Sequence, residues 1–143
     1  MSVVAILAPV LVQVALTFVL GLWTASLRVR ALRRGELAMA DIALGQPAWP
    51  APVMQVGNAF QNQFQLPVLF YVLVALAILT RKADTLFVVL SWMFVATRFV
   101  HAFIHTGGND VPTRFAAFLA GVLLLLIMWV VFAVRLLMAE VPL

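Results

Sequence analysis

The sequence predicts an all-α fold, an integral membrane four-helix bundle formed by a single domain over residues 1–143. Hydrophobic residues make up 66% of the chain and charged residues only 10%, and the mean hydropathy is +1.15. A soluble domain is only about half apolar, so a soluble fold of this size cannot bury so much apolar surface. The apolar residues also fall into four long runs, and a helix of about 20 residues is enough to cross a bilayer.

The four predicted spans cover about residues 3–27, 53–79, 85–105 and 112–138. The first is an apolar run that stops at the basic segment RVRALRR. The second opens with the polar stretch NAFQNQFQ and continues as VLVALAIL up to Arg81 and Lys82. The third ends in RFVHAFIH, and the fourth continues as LAGVLLLLIMWVVFAV. Because lipid offers the backbone no hydrogen-bonding partners, each span must be helical.

Pro67 predicts an irregularity in the second span. It removes one backbone donor and leaves the carbonyl of Gln63 without its helical partner. We therefore expect a kink just after the polar residues, and a kink there opens a crevice between helices.

The basic residues predict a lipid partner and an orientation. They lie mainly at the ends of apolar runs, where they anchor membrane segments, so the net charge of +4 does not indicate nucleic acid. The first loop carries four of them: Arg28, Arg30, Arg33 and Arg34. The positive-inside rule then places loops one and three in the cytoplasm, although Arg81, Lys82 and Arg135 lie on the other side. The absence of cysteine excludes disulfides and thiolate metal sites, and no metal is expected.

Polar side chains are predicted to converge in one leaflet. Asn58, Asn62 and Gln65 are spaced four and three apart and share one helical stripe, from which Gln63 points away. The third span repeats this spacing with Arg98, His101 and His105, while Arg28 closes the first span and Arg114 opens the fourth. The first and third helices run toward the side of the membrane from which the second and fourth helices start. All these residues should therefore lie in the same leaflet.

Structural roles are open for several of these residues. Arg28 and Arg114 lie near helix ends, where an arginine often extends to the headgroups. The amides can hydrogen-bond between helices at about 0.6–2 kcal/mol each. Arg98 lies well inside its span, and burying it there costs roughly 2.5–3.5 kcal/mol. It should therefore face protein or a water-filled cavity.

The motifs NAFQNQFQLP and RFVHAFIH, with Arg114 sixteen residues past Arg98, resemble a known family. It comprises the membrane-associated proteins in eicosanoid and glutathione metabolism, abbreviated MAPEG, and this chain is similar to a divergent bacterial-type member. The resemblance covers nearly the whole chain. It implies a homotrimer in a bacterial inner membrane, with glutathione held in cytoplasmic-side crevices between subunits and a lipophilic small molecule as its reaction partner.

The resemblance also implies roles for individual residues. Arg114 stands where some members keep the arginine that steadies the glutathione thiolate, which makes it the catalytic candidate, with His105 as the alternative. The ligand-binding candidates are Arg28, Asn58, Asn62, Gln65, Arg98, His101 and His105. Asn58 stands where the family motif has Arg, and Gln65 stands where it has Glu. The pocket therefore loses one cation and one anion, so its net charge is unchanged.

Three functions follow from these observations. The first is a glutathione-dependent transferase or peroxidase acting on lipophilic electrophiles. The alternative is a non-catalytic protein that binds a lipid or small amphiphile in the same crevice. A transporter or channel is disfavoured because the acidic residues lie in loops or at chain ends: Glu36, Asp41, Asp84, Asp110 and Glu140.

Overall fold

The computed structural model describes residues 2–45 and 48–139, and over these ranges the chain is helical with no strand. The helices are α1 (Val3–Arg33), α2 (Ala51–Gln61), α3 (Leu66–Leu79), α4 (Thr85–Thr106) and α5 (Val111–Ala139), with short 3₁₀ turns at Met39–Ile42 and Asn62–Phe64. Four helical segments are long and apolar enough to cross a membrane: Val3–Arg33, Ala51–Leu79, Thr85–Thr106 and Val111–Met138. The predicted all-α fold with four membrane-length helices is confirmed. Four of the acidic residues lie outside the spans, and Glu140 lies outside the described residues.

The helix α1 extends beyond its predicted end at Leu27 to Arg33 and closes with a glycine cap. Gly35 adopts a φ of +68°, the left-handed conformation that glycine reaches without steric cost. The backbone N–H of Glu36 donates to the carbonyl of Ala31 at 3.1 Å, and that of Gly35 donates to Leu32 at 3.0 Å. These are the two hydrogen bonds of a Schellman motif, which satisfies carbonyls at the helix end.

The helix α3 ends in the same motif but with an arginine in the glycine position. The N–H of Lys82 donates to the carbonyl of Ala77 at 2.9 Å, and that of Arg81 donates to Ile78 at 3.1 Å. Arg81 has a φ of +57°. A left-handed conformation costs an ordinary L-residue about 1–2 kcal/mol. The sequence therefore places a cation where glycine is the less strained choice.

The second predicted span is two helices rather than one kinked helix. The helix α2 ends at Gln61, a 3₁₀ turn follows at Asn62–Phe64, and Gln65 has φ −100° and ψ −101°, outside the helical region. Pro67 lies in the first turn of α3, where its missing N–H is no loss. The proline thus separates two helices at the position where the kink is predicted.

The bundle has two ends with different contents. The helix α4 packs against α1, α2 and α5, while α3 packs against α1 and α5. The loop-one end contains the C-termini of α1 and α4 and the N-termini of α2 and α5. The loop-two end contains the N-termini of α1 and α4, the C-termini of α3 and α5, and residues 80–84. The apolar core lies toward the loop-two end and includes Phe70, Leu73, Val74, Phe87, Phe94, Leu125, Met128 and Phe132. Large apolar side chains also cover the outer surface, as a lipid environment requires.

Asp84 connects three elements at the loop-two end. Its Oδ1 accepts from the N–H of Phe87 at 2.9 Å and caps α4. Its Oδ2 lies 2.8 Å from Nη2 of Arg135 on α5. The hydrogen bond from Arg135 lowers the pKa of Asp84 below its ordinary value. This carboxylate is therefore fully engaged by its neighbours.

Candidate functional site

A cavity of about 250 Å³ lies at the loop-one end, between the helix break, α4 and α5. We call it the α4–α5 cavity. Its walls are formed by Asn62, Gln65, His101, His105, Val111, Arg114, Phe115 and Phe118. Five of the candidate site residues thus meet around one space, brought there by the turn at residues 62–65 and by the i, i+4 spacing on α4. Phe115 is 61% exposed, so the cavity adjoins the apolar outer surface.

The two histidines of this cavity have different surroundings. Nδ2 of Asn62 lies 3.3 Å from Nδ1 of His105. An amide N–H donating to Nδ1 requires a neutral imidazole that carries its proton on Nε2. The rings of His101 and His105 meet edge to face with centroids 5.5 Å apart. Nδ1 of His101 is buried and has no hydrogen-bond partner among residues 2–45 and 48–139. A buried imidazole nitrogen without a partner is unusual in a folded protein.

Arg114 supplies the positive charge of the α4–α5 cavity. It lies in the first turn of α5, and its Nη1 donates to Oδ1 of Asn109. Asn109 has a φ of +52°, a conformation that asparagine tolerates better than most residues. The partner is a neutral amide, and within the described residues Arg114 has no ion pair. Its charge remains available to an anion.

Arg98 is buried between α4 and α5 and is not among the described residues that line the α4–α5 cavity. Only 1% of the residue is exposed, and its Nη2 lies 3.3 Å from the carbonyl of Ala117 and 3.5 Å from that of Phe118. The guanidinium also lies over the rings of Phe94 and Phe118, at 5.7 and 5.4 Å from their centroids. It thus faces protein, in agreement with the energetic argument. Its ligand-binding role stays a prediction, since the guanidinium contacts the backbone of α5 instead of the cavity.

Gly121 provides the space for this arginine. A Cβ atom at residue 121 would lie 2.5 Å from Nη2 of Arg98 and 2.9 Å from Oγ1 of Thr97. Any side chain here would displace the guanidinium from the carbonyls of α5. The glycine therefore positions Arg98 by close approach and not by a special φ angle.

A second cavity, of about 450 Å³, lies between α1, α2 and loop one. We call it the α1–α2 cavity. It is lined by Arg28, Ile42, Gly45, Trp49, Met54, Gly57, Asn58 and Gln61. The guanidinium carbon of Arg28 lies 5.0 Å from the centroid of Trp49, a cation–π contact. The predicted amide stripe is therefore divided, with Asn58 here and Asn62 and Gln65 in the α4–α5 cavity.

Both cavities share one electrostatic property. Arg28 lines one of them and Arg114 lines the other, and no carboxylate of the described residues lines either. An anionic ligand would meet cationic and amide donors in both places.

Comparison with known proteins decides the family. The sequence profile of the MAPEG family matches residues 6–134 of the 143-residue chain. The chain belongs to the MAPEG family. No curated protein and no solved structure gives a significant match to it.

The MAPEG match includes all four membrane spans in whole or large part and every candidate site residue, from Arg28 to Arg114. This membership establishes a membrane protein of a family that is generally associated with glutathione.

Gln13 is a buried polar residue that the sequence reasoning missed in this MAPEG chain. It is fully buried in α1, and its Nε2 donates to Oε1 of Gln63 at 2.8 Å. Nε2 of Gln63 donates in turn to the carbonyl of Ala59 at 3.0 Å. Gln63 does turn away from Asn62 and Gln65, as predicted, and it does so to bind α1. A single glutamine in an otherwise apolar run was the available signal.

Proposed function

We propose that this MAPEG protein is a glutathione-dependent transferase or peroxidase that acts on lipophilic electrophiles. The observation that carries the proposal is the α4–α5 cavity, where the cation of Arg114 lies beside His105 and Asn62. Among the described residues, Arg114 has no ion pair and no carboxylate lines this cavity. Glutathione carries two carboxylates and a thiol. Arginine receives a carboxylate in bidentate fashion, and a cation also stabilises a thiolate.

The cavity sizes support a binding crevice between subunits. Pockets for small ligands typically measure about 300–1,000 Å³, so 250 Å³ accommodates only part of a tripeptide. In a homotrimer, the α1–α2 cavity of a neighbouring subunit would add Arg28 and Asn58 as further donors. We propose this arrangement, with loops one and three in the cytoplasm of a bacterial cell.

The chemistry assigned to Arg114 is activation of the thiol. A free thiol has a pKa of about 8.5, and only its thiolate is a strong nucleophile. The guanidinium lowers the free energy of the thiolate without itself accepting a proton. His105, with Nδ1 beside the amide of Asn62, is the alternative residue for this role.

The second substrate would arrive from the bilayer. Val111 and Phe115 line the α4–α5 cavity and are largely exposed on the outer surface. An apolar electrophile dissolved in lipid can therefore approach the thiolate laterally. In a transferase, sulfur bonds to the electrophilic carbon and the leaving group departs. In a peroxidase, the thiolate attacks a peroxide oxygen and the alkoxide leaves.

Non-catalytic binding of a lipid or small amphiphile is the second candidate. It is favoured by Gln65, which lines the α4–α5 cavity where the family motif carries a glutamate. A glutamate would pair with the ammonium of glutathione, and charge-assisted hydrogen bonds are about twice as strong as neutral ones. The amide binds that ammonium more weakly.

Conjugation of glutathione to an aryl halide by the purified protein in detergent tests the proposal. We expect adduct formation, and we expect Arg114→Gln to lower kcat/KM by about 10²-fold, the typical loss for one charge-stabilising donor. The rate of the variant should also rise only at higher pH, because the thiolate has lost its cation.

Arg33→Gln is the matched control, since Arg33 is exposed and lines neither cavity. It should leave conjugation unchanged. The non-catalytic alternative would be favoured by two results together: the wild-type protein forms no adduct, and it binds an amphiphile in a way that depends on Arg114.

A further inference from the structure

A third cavity, shallow and wide open to the surroundings, lies at the loop-two end, away from the proposed glutathione site. Its volume is about 480 Å³, and Arg81, Lys82, Ala83, Asp84, Arg135 and Met138 line it. We call it the loop-two pocket. It lies where α3 and α5 leave the bilayer and α4 enters it, so its side chains are at headgroup depth. Its cations are Arg81, Lys82 and Arg135, which lie at the end of the bundle that the positive-inside rule would leave poor in basic residues.

The charges of this pocket are not balanced. Asp84 is the one carboxylate among its lining residues, and its two oxygens already accept from Phe87 and Arg135. Over residues 2–45 and 48–139, neither Arg81 nor Lys82 has an ion-pair partner. Among the described residues, the pocket therefore presents two cations without an ion-pair partner beside a third that is paired with Asp84, and this suits a phosphate group.

An apolar groove begins at the edge of the same pocket. It has a volume of about 230 Å³ between the start of α1 and the end of α3, and its walls are Val3, Ile6, Ala77, Ile78, Arg81 and Ala83. Arg81 and Ala83 line both spaces. The charged pocket thus adjoins an apolar groove whose walls include Ile6 and Ala77, each about one helical turn further from the loop. This combination matches an amphiphile and not a free inorganic ion.

The left-handed backbone conformation at residue 81 would favour glycine, yet the residue there is an arginine. Position 81 is the left-handed residue of the cap on α3, the position that Gly35 occupies in the equivalent cap on α1. Glycine would remove the strain at no cost to the cap.

We propose that the loop-two pocket binds the phosphate of an anionic phospholipid, with an acyl chain lying in the adjoining groove. Arg81 and Lys82 contact the phosphate, and Arg135 is held nearby by Asp84. Basic pockets between transmembrane helices are known to recognise lipid headgroups in this way. An isolated arginine that merely extends to the interface needs neither a shared pocket nor a groove. The site is independent of glutathione binding.

Native mass spectrometry of the full-length protein in detergent tests this site. The protein is offered dioleoyl phosphatidylglycerol or dioleoyl phosphatidylcholine, and the retained lipid is measured. We expect the wild type to retain the anionic lipid preferentially. The double variant Arg81→Gln/Lys82→Gln should lower that preference by about fivefold for each cation removed.

The control variant Arg30→Gln/Arg33→Gln makes the same charge change at the loop-one end and should leave the preference unchanged. An equal loss in the control, or no loss in the pocket variant, would overturn the proposal. Inorganic phosphate and chain-free glycerophosphoglycerol should not displace the lipid at millimolar concentration. Displacement by either would show that the pocket binds a soluble phosphate and would also overturn it.

Arg81→Gly separates binding from folding. Glycine relieves the left-handed backbone, so the variant should be at least as resistant to heat as the wild type. It should nevertheless lose about fivefold in preference for the anionic lipid. Full retention of that preference would show that Arg81 is not a ligand.

Discussion

The two ends of this bundle are packed with different side chains. Toward the loop-two end, the interior consists of aromatic and aliphatic residues such as Phe70, Leu73 and Phe94. Toward the loop-one end, the buried residues include Gln63, Arg98, His101 and His105. Because lipid is as apolar as a protein core, packing rather than the hydrophobic effect holds membrane helices together. Polar groups at this depth are costly, and their concentration at one end is the reason that we propose a ligand site there.

The largest effect is expected from Phe70→Ala in the apolar half. Phe70 is fully buried, and its ring stacks on Phe94 with centroids 4.8 Å apart. Loss of the ring leaves a cavity and should destabilise the protein by about 3 kcal/mol in reversible unfolding in mixed micelles. Glutathione affinity should stay within about twofold if the two halves act separately.

Phe103→Ala is the matched control for this change. Phe103 is 81% exposed on α4, so its removal should alter the free energy of unfolding by less than about 0.5 kcal/mol. If Phe70→Ala and Phe103→Ala lower the free energy of unfolding equally, Phe70 does not belong to a core that stabilises the fold.

The next effect is expected from Gly121→Ala, which tests how Arg98 is positioned. The added methyl group would lie 2.5 Å from Nη2 of Arg98. Overpacking costs about 1–3 kcal/mol, while alanine gains about 1 kcal/mol in helix propensity. We therefore expect a net loss of up to about 2 kcal/mol in the same unfolding measurement.

Gly57→Ala is the control for Gly121→Ala. A Cβ at residue 57 would meet its nearest atom, Cγ2 of Thr24, at 3.6 Å, an ordinary contact. This variant should be as stable as the wild type or slightly more stable. If both glycine variants behave alike, Gly121 does not hold the space for Arg98.

A smaller effect is expected from Gln13→Leu at the boundary between the halves. The change removes the 2.8 Å hydrogen bond to Gln63 and leaves that amide without its partner on α1. Hydrogen bonds between membrane helices contribute about 0.6–1.7 kcal/mol, and we expect a loss in that range. The double variant Gln13→Leu/Gln63→Leu should recover part of the loss, because both polar groups are then absent. Strictly additive losses would contradict a direct interaction.

The smallest effect is expected from Asp84→Asn at the loop-two surface. The pair with Arg135 is partly exposed, so its loss should cost about 0.5 kcal/mol at neutral pH. Since Arg135 lowers the pKa of Asp84 below 3.8, the stabilisation is complete above about pH 4 and is lost as pH falls through the folded-state pKa. Melting curves of the wild type and the variant should therefore converge in acid. A difference that persists unchanged to the lowest pH would contradict this origin.

The sequence predicts the helices, but it does not predict that the candidate site residues are divided between two cavities. Hydropathy predicts four spans, and Pro67 predicts the irregularity in the second one, because both signals are local. The predicted amide stripe requires a continuous helix through Asn58, Asn62 and Gln65. Asn58 instead lies on α2 and lines the α1–α2 cavity, whereas Asn62 and Gln65 belong to the 3₁₀ turn and its cap and line the α4–α5 cavity.

Two further features depend on contacts between distant residues. Gln13 and Gln63 are fifty positions apart, and nothing in either segment specifies the other as its partner. Arg98 reaches the carbonyls of Ala117 and Phe118 because Gly121 leaves space on α5. Spacing on α4 predicts the face of Arg98 but not the packing of the helix opposite it.

Isothermal titration of glutathione into the purified protein in detergent tests whether the polar half of the bundle is the glutathione-binding site. We expect saturable binding at millimolar concentration or below, lost in Arg114→Gln and retained in Phe70→Ala and Arg33→Gln. Heats that match the detergent blank for the wild type, or equal binding by the Arg114 variant, would contradict it.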